Sequence, residues 1–189
     1  MKVTSKVLKY LHLDKTHCLL SGRAIHIILE LFKCLDIHRE LQLNDVQFWA
    51  FMHSSTDLSK SQIYNVFDML DVDCSGTLDF DEFYLLVCIL IAVHDKEEKH
   101  FIYRHSRTVF DLLDEDASGN ISCDEFEKFG FLFNLQGEAM RAIFSEFDVS
   151  GDHELDYSEF KMFAMACIDR QSEIEARNSS ENPGPCTIL

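Results

Sequence analysis

Oxygen-bearing side chains recur at fixed positions in three stretches of twelve residues, 71–82, 114–125 and 148–159. Each stretch has five carboxylates and no Lys or Arg, so together they hold fifteen of the 33 acidic residues in a chain of net charge −16. A solvated acidic surface is usually diluted with Lys and does not repeat at a fixed length. Oxygens at positions 1, 3, 5, 7, 9 and 12 are instead what Ca²⁺ requires, because it takes six to eight oxygen ligands from such a loop.

Two of the stretches fill every ligand position and have Gly at position 6, where the loop turns sharply. The stretch 71–82 offers Asp71, Asp73, Ser75, the Thr77 carbonyl, Asp79 and Glu82 around Gly76. The stretch 114–125 offers Asp114, Asp116, Ser118, the Asn120 carbonyl, Ser122 and Glu125 around Gly119. We predict that both loops bind Ca²⁺ through these residues, with the last Glu as a bidentate ligand.

The third stretch and a more distant fourth copy depart from this pattern. The stretch 148–159 offers Asp148, Ser150, Asp152, the Glu154 carbonyl, Asp156 and Glu159. Its turn position is His153, a residue type that tolerates positive φ at some cost, so we predict a weaker calcium site. Residues 36–47 have the same spacing but carry His38 at position 3, Leu41 at the turn and Gln47 in place of Glu. We predict that this loop binds no metal and serves as a structural partner.

Apolar residues at helical spacing flank all four loops and define the elements that must hold them. A Phe precedes each loop by four residues or fewer and another follows it directly, namely Phe32, Phe67, Phe110 and Phe144 before the loops and Phe48, Phe83, Phe126 and Phe160 after them. The repeated unit is therefore helix, twelve-residue loop, helix, which is the EF-hand. The eighth loop residue is apolar in each copy (Leu43, Leu78, Ile121, Leu155), so we expect adjacent loops to pair there in a short antiparallel contact.

The spacing of the repeats predicts an all-α fold of four EF-hands in two paired, calmodulin-like lobes, with the first hand degenerate. Loop starts are 35, 43 and 34 residues apart, so extra residues lie between the second and third hands. We expect a helical extension over 1–20, lobes over 21–94 and 100–172, a linker over 95–99 and a flexible tail over 173–189. The apolar run 83–93 is typical of a buried helix.

Composition excludes several functional classes. The 17 Lys and Arg form no basic stripe, which argues against nucleic acid as a partner. The seven Cys include no CxxC pair, as expected for reduced thiols inside a cell, and we find no signal peptide or membrane-spanning run. No nucleophile elbow, phosphate loop or zinc signature is present, so we expect no enzyme activity.

The four repeats, from Gly22 to Arg170, resemble the calmodulin-type EF-hand superfamily. Shorter stretches are similar to one branch of it, the cytoplasmic EF-hand subunits of the sperm cation channel CatSper: Leu13–Lys15, Leu43–Val46, Phe67–Asp71, Tyr103–Asp114, Phe131–Asn134 and Glu159–Lys161. This resemblance implies a cytoplasmic calcium sensor of the sperm flagellum. It also implies pairing with the channel's zeta subunit and pore complex, and gating that responds to calcium and pH.

Three functional hypotheses remain open at this stage. A sensor would expose an apolar groove, for which Met162 and Met165 are candidate lining residues, and so change a partner interaction. A light-chain-like structural subunit would stay bound to its partner, and a calcium buffer would bind metal without opening.

Protonated His153 would repel Ca²⁺ from the fourth hand, which is a hypothesis for pH dependence. The C-terminal Cys186-Thr187-Ile188-Leu189 has the form of a geranylgeranylation signal at Cys186, and we expect membrane contact only through that group or through a partner.

Overall fold

The computed structural model describes residues 1–133, 138–166 and 169 and is built almost entirely from helices, which confirms the predicted all-α class. Seven helices are α1 (Gly22–Leu35), α2 (Asp45–Ser55), α3 (Lys60–Leu70), α4 (Phe80–Asp95), α5 (Glu98–Leu113), α6 (Cys123–Phe129) and α7 (Glu138–Phe147). A further helix, α8, covers 157–166, and short 3-10 helices cover Leu8–Tyr10 and Gly130–Phe133. The strands are β1 (Leu43–Asn44), β2 (Thr77–Leu78), β3 (Ile121–Ser122) and β4 (Glu154–Leu155).

Neighbouring loops pair through these two-residue strands, as the sequence predicted. Leu43 lies opposite Leu78 in the antiparallel pair β1–β2, and Ile121 lies opposite Leu155 in β3–β4. All four side chains are fully buried. Each pair of strands therefore fixes two loops side by side.

The repeated phenylalanines meet across each pair of hands. In the first pair, the ring of Phe32 before one loop lies 5.4 Å from that of Phe83 after the other, and the rings of Phe48 and Phe67 are also 5.4 Å apart. In the second pair, Phe110 lies 5.4 Å from Phe160. Edge and tilted contacts at these distances add about 0.5–1.5 kcal/mol per pair to the stabilisation from burial. The phenylalanine repeat thus builds the core that holds the loops.

Helix α4 is buried around its whole circumference. No side chain of residues 82–95 is exposed, and every residue from 86 to 93 is buried. The run 83–93 therefore forms the buried helix that its composition predicted. No helix in the described part of the chain is long and apolar enough to cross a membrane.

The two lobes, which we predicted over 21–94 and 100–172 with a linker over 95–99, are in direct contact. Only Lys96 and Glu97 separate α4 from α5, and Lys96 takes a left-handed conformation with φ of 60°. Buried residues of both lobes belong to one continuous apolar cluster. Burial of α4 on all sides explains this arrangement, because an apolar helix without a polar face must be covered by more than its own lobe.

Residues 1–20, named here the N-terminal arm, pack against α4. We predicted a helical extension, but only Leu8–Tyr10 form a helical turn; Val3 instead forms a β-bridge with Thr56. Leu8 and Leu11 are buried, and the backbone N–H of Leu20 donates to the Tyr84 hydroxyl of α4 at 3.2 Å. The arm is therefore part of the core. The predicted tail 173–189, with Cys186, lies outside the described residues.

Candidate calcium-binding site

The loop 71–82 gathers carboxylates at one point. Carboxylate oxygens of Asp71, Asp73 and Glu82 all lie within 4.8 Å of one another, which is a spacing that one metal ion could bridge. Asp71 accepts the backbone N–H groups of Ser75 and Gly76, each at 2.8 Å, so it is held facing the centre of the loop. The Ser75 hydroxyl donates to the Thr77 carbonyl at 2.9 Å. Five of the six predicted ligand groups thus surround one space, and Asp79 adjoins it.

The loop 114–125 repeats this geometry. Oxygens of Asp114, Asp116 and Glu125 lie within 4.8 Å of one another. Asp114 accepts the N–H groups of Ser118 and Gly119, both at 2.9 Å, and the Ser118 hydroxyl donates to the Asn120 carbonyl at 3.0 Å. In the described part of the chain, acidic side chains converge in this way only in these two loops.

Hydrogen bonds within each acidic loop orient its final glutamate. Asp79 caps α4 by accepting the N–H of Glu82 at 3.0 Å, while Glu82 accepts the N–H of Asp79 at 2.9 Å. Ser122 with Glu125 and Asp156 with Glu159 form the equivalent reciprocal bonds. Glu125 also accepts the N–H of Glu115 at 3.0 Å, which ties the two ends of its loop together. The bidentate ligand is therefore oriented before any cation arrives.

This capping pair was readable from the sequence but was missed. A residue that caps a helix, followed three residues later by Glu or Gln, is the sequence pattern of a capping box. It occurs at positions 9 and 12 of all four loops, including Asn44 and Gln47 of the degenerate one. The same loop position thus serves as a predicted calcium ligand and as the cap of the following helix.

All four loops have the same backbone turns. Residues at position 6 have positive φ, with 77° at Gly76, 86° at Gly119, 65° at His153 and 59° at Leu41. Position 4 is also left-handed, with φ of 53° at Cys74. Such conformations favour Gly because a Cβ atom crowds the backbone there. The structure therefore places His153 in the positive-φ conformation that we expected it to tolerate.

The loop 148–159 has the backbone of a calcium loop without a tight acidic cluster. Asp148 accepts the N–H groups of Gly151 at 2.7 Å and His153 at 2.9 Å. Position 3 is Ser150, whose hydroxyl donates to Asp148 at 3.2 Å and thus replaces one carboxylate. Its predicted ligands occupy the expected positions, and whether they bind Ca²⁺ stays a prediction.

The loop 36–47 shows how a degenerate hand keeps its shape. Asp36 is buried and accepts the N–H groups of Glu40 and Leu41 at 3.1 and 2.8 Å. The Gln47 amide oxygen accepts the N–H of Asn44 at 2.8 Å, but its amide nitrogen is buried without a hydrogen-bond partner. An N–H₂ group there presents donors where a cation needs oxygen, which is consistent with the prediction that this loop binds no metal.

Electrostatic effects differ between the ligand carboxylates. Burial raises the pKa of Glu82, and the nearby charges of Asp79 and Asp73 raise it further. Hydrogen bonds from Ser75 lower the pKa of Asp73, and hydrogen bonds from Ser118 do the same for Asp116. For Asp148, burial opposes ionisation, but the donated N–H groups of Gly151 and His153 outweigh it and lower the pKa. The three aspartates are thus held ionised, as binding of a hard cation requires, whereas the ionised form of Glu82 is disfavoured until a cation binds.

The two C-terminal loops are also linked by their side chains. The Asn120 amide donates to the Glu154 carboxylate at 2.9 Å, which joins position 7 of one loop to position 7 of the next. Sequence reasoning assigned only the carbonyls of these residues to calcium. The pairing of β3 with β4 could have indicated the contact, because it sets Ser122 opposite Glu154.

The side chains that could line an apolar groove or report its opening are Met162, Met165 and Trp49. Met162 is exposed and Met165 is half-buried on α8, so neither is enclosed within the C-terminal lobe. Trp49 on α2 is half-buried, stacks on the His53 ring at 4.7 Å and has an indole N–H that is buried without a partner.

A family model for the EF-hand domain pair matches this chain twice, over residues 60–129 and over residues 103–165. The two matches together cover more than half of the chain and include the three acidic loops. Members of this family bind Ca²⁺ and are typically not enzymes, and the carboxylates gathered in two of the loops suit that ion. The chain therefore belongs to the family of EF-hand domain pairs, which are calcium-binding proteins.

Proposed function

We propose that this protein is a calcium sensor in which Ca²⁺ at loops 71–82 and 114–125 moves helices and changes the contact with a protein partner. A weaker third site at 148–159 would complete the C-terminal pair. The observation that carries the proposal is the position of α4 between the two complete loops: one of its first residues is a predicted ligand, and the rest of the helix is buried against the arm and the second lobe.

A continuous chain of elements connects the two loops. Glu82 lies in the first turn of α4, α4 is joined to α5 by only two residues, and Asp114 follows the last residue of α5. A shift of Glu82 toward a bound ion therefore moves a helix that touches both lobes. Because packed helices shift between discrete arrangements, such a movement reaches the second loop and the surface of the protein.

A calcium buffer needs no such connection, since binding alone is its function. The alternative of a constitutive, light-chain-like subunit is favoured by a different observation. With α4 enclosed, the N-terminal lobe of this conformation offers no open apolar groove along that helix. A constitutive partner would then bind another surface, and calcium would only stabilise the fold.

The partner that we propose is a cation channel of the CatSper type, with the protein acting as a cytoplasmic subunit in the sperm flagellum beside the zeta subunit and pore complex. Support comes from the resemblance to EF-hand calcium-binding domain-containing protein 9, above all in the stretch Tyr103–Asp114. Most of that stretch forms α5, the helix that leads into the third hand, and Tyr103 on it is exposed.

Trp49 allows a direct test of the sensor. It is the only Trp in the chain and lies on α2, the helix that follows the loop 36–47 in the N-terminal lobe. The full chain is titrated with Ca²⁺, and binding heat and Trp fluorescence are followed together. Glu82→Gln removes a charged ligand, whereas Asp81→Asn makes the same charge change in the same loop at an exposed position that is not a ligand. We expect the first variant to lose one binding site and the fluorescence change, and the second to keep both.

Binding heat with no change in Trp49 emission in the unmodified chain would contradict the sensor for the N-terminal lobe and favour a buffer or structural subunit. The partner is tested separately by co-purification with the CatSper zeta subunit, with calcium and with chelator. Equal recovery in both conditions would favour the constitutive subunit. No recovery in either would reject this partner while leaving the calcium sensor to the fluorescence result.

A further inference from the structure

The N-terminal arm presents a basic and apolar surface, the arm patch, consisting of Lys2, Lys6, Val7, Lys9 and Tyr10. All five side chains are exposed, Tyr10 to 77% and Val7 to 42%. Between and beside them, Leu8 and Leu11 are buried against the core. The buried leucines fix the backbone of this turn, so the lysines and the tyrosine are held in a defined arrangement on the surface.

The lysines of the arm patch have no acidic partner in the part of the chain that the structure describes. Among the described residues, no carboxylate forms an ion pair with the ammonium groups of Lys2, Lys6 or Lys9, although the chain has a net charge of −16. Three of the other lysines do have one: Lys33 pairs with Glu30, Lys99 with Asp169 and Lys128 with Glu115. Asp57 does contact the patch, but through the backbone, where it accepts the N–H of Lys2 at 2.7 Å.

The patch lies at the end of α2 opposite the paired loops of the first lobe. The Thr4 N–H donates to the Ser55 carbonyl at 2.7 Å, and Ser55 is the last residue of α2, which begins at the end of the loop 36–47. Eleven helical residues span about 16 Å at 1.5 Å per residue. That distance exceeds the Debye length of about 8 Å at physiological ionic strength, so the acidic loops are largely screened from the arm patch.

We propose that the arm patch docks on an anionic phospholipid surface. Charge complementarity carries the choice of occupant: unpaired lysines are attracted to phosphate and serine headgroups, and each contributes roughly fivefold to binding on a surface rich in anionic lipid. Tyr10 and Val7 project outward between these lysines, and a tyrosine is suited to the headgroup level because its ring is apolar and its hydroxyl is polar. The contact is peripheral and does not depend on calcium or on the proposed sensor.

The test is flotation of the full chain with vesicles of phosphatidylcholine alone and of phosphatidylcholine mixed with phosphatidylserine. Chelator is present throughout, so that calcium cannot bridge protein carboxylates to lipid. Lys6→Gln combined with Lys9→Gln lowers the net charge of the patch by two. Lys33→Glu is the matched control, because it makes the same change in net charge on an exposed side chain in the last turn of α1, beside the loop 36–47.

We expect binding to the phosphatidylserine vesicles only, weaker at high salt, and about 25-fold weaker for the double variant. The Lys33→Glu control should stay within about twofold of the unmodified chain, since Lys33 lies in the last turn of α1 beside the loop 36–47, whereas the arm contacts the far end of α2. Tyr10→Ala should weaken binding at every salt concentration. Circular dichroism checks that the variants fold, and all the substituted side chains are exposed.

Three outcomes would overturn the proposal. Equal binding to both kinds of vesicle, or to neither, removes the role of anionic lipid. An equal loss in the double variant and in the control shows an effect of net charge rather than of the patch. Lysine-dependent binding of a Glu-rich peptide without vesicle binding identifies an acidic protein segment as the occupant instead.

Discussion

Glu82, which ends the loop 71–82, has opposite effects on the fold with and without calcium. Glu82 is half-buried beside Asp71 and Asp73, and its pKa is raised by burial first and then by the charges of Asp79 and Asp73. Ionised Glu82 is therefore unfavourable in the calcium-free loop. Once Ca²⁺ supplies two positive charges, the same carboxylate becomes a bidentate ligand.

We expect Glu82→Gln to stabilise the calcium-free protein by a few tenths to about 1 kcal/mol, the range of a like-charge contact near the surface. The amide can keep the loop closed, since Gln47 at the same position of the first loop accepts the N–H of Asn44 at 2.8 Å. Thermal unfolding in chelator at neutral pH measures the change. With calcium present the order should reverse, because the variant has lost a ligand.

The pH dependence of this difference follows from the raised pKa of Glu82. As pH falls through the pKa that Glu82 has in the folded state, its carboxyl becomes neutral like the amide, so the advantage of the variant should shrink toward pH 4. Asp81→Asn is the control, because Asp81 is exposed and lies in the first turn of α4, where a negative charge favours the helix. A gain as large in that variant would contradict a specific role of Glu82.

At the scale of residues, the sequence predicts more about ligand identity than about ligand energetics. The acidic and hydroxyl side chains of 71–82 and 114–125 could be assigned because calcium loops have a fixed length and fixed ligand positions. The unpaired amide nitrogen of Gln47 could not be predicted, because burial of that group depends on neighbours distant in the chain.

At the scale of elements, α5 is the helix with the most irregular backbone. His105 departs from helical geometry with φ of −115° and ψ of 26°, and it divides α5 into two segments. Its imidazole Nε2 lies 3.0 Å from the His17 carbonyl of the arm, and the next residue, Ser106, is buried with its hydroxyl 2.6 Å from that of Tyr157 on α8. The segment that enters the third hand is thus held to the helix that leaves the fourth.

We expect Ser106→Ala and Tyr157→Phe each to destabilise the protein by about 1–2 kcal/mol, because each leaves one hydroxyl without its partner. The double variant should cost less than the sum of the two, with a coupling of about 1 kcal/mol. Phe retains the edge contact of the Tyr157 ring with Phe110, whose ring centroid is 5.5 Å away. Denaturant unfolding of the four proteins measures the coupling, and strictly additive costs would mean that the hydrogen bond contributes nothing.

The helices themselves could be predicted because phenylalanines recur around each loop at helical spacing, and eight of them fill the cores of the two pairs. The kink in α5 at His105 could not be predicted in this way. The sequence around His105 contains neither Gly nor Pro, and the irregularity coincides with a contact from the arm that is 88 residues away in the chain.

At the scale of the whole molecule, the contact between the two lobes is what the sequence does not predict. The composition of 83–93 predicted a buried helix, but not what would cover it. Burial of that helix by the arm and by the second lobe depends on contacts between residues far apart in sequence, which local patterns do not encode. Charge is likewise unevenly distributed, with fifteen carboxylates in three loops and unpaired lysines on the arm.

This distribution predicts how salt should affect stability. In chelator, added NaCl screens the repulsion between loop carboxylates, so the midpoint of thermal unfolding should rise by about 2–4 °C for each 1 kcal/mol of repulsion relieved. Salt also weakens the exposed ion pairs, such as Lys33 with Glu30, but pairs of this kind contribute little to stability. Saturating Ca²⁺ is the internal control, because bound ions neutralise the same carboxylates and should flatten the response. A calcium-free midpoint that falls with salt would mean that ion pairs, and not the acidic loops, dominate the electrostatic energy of the fold.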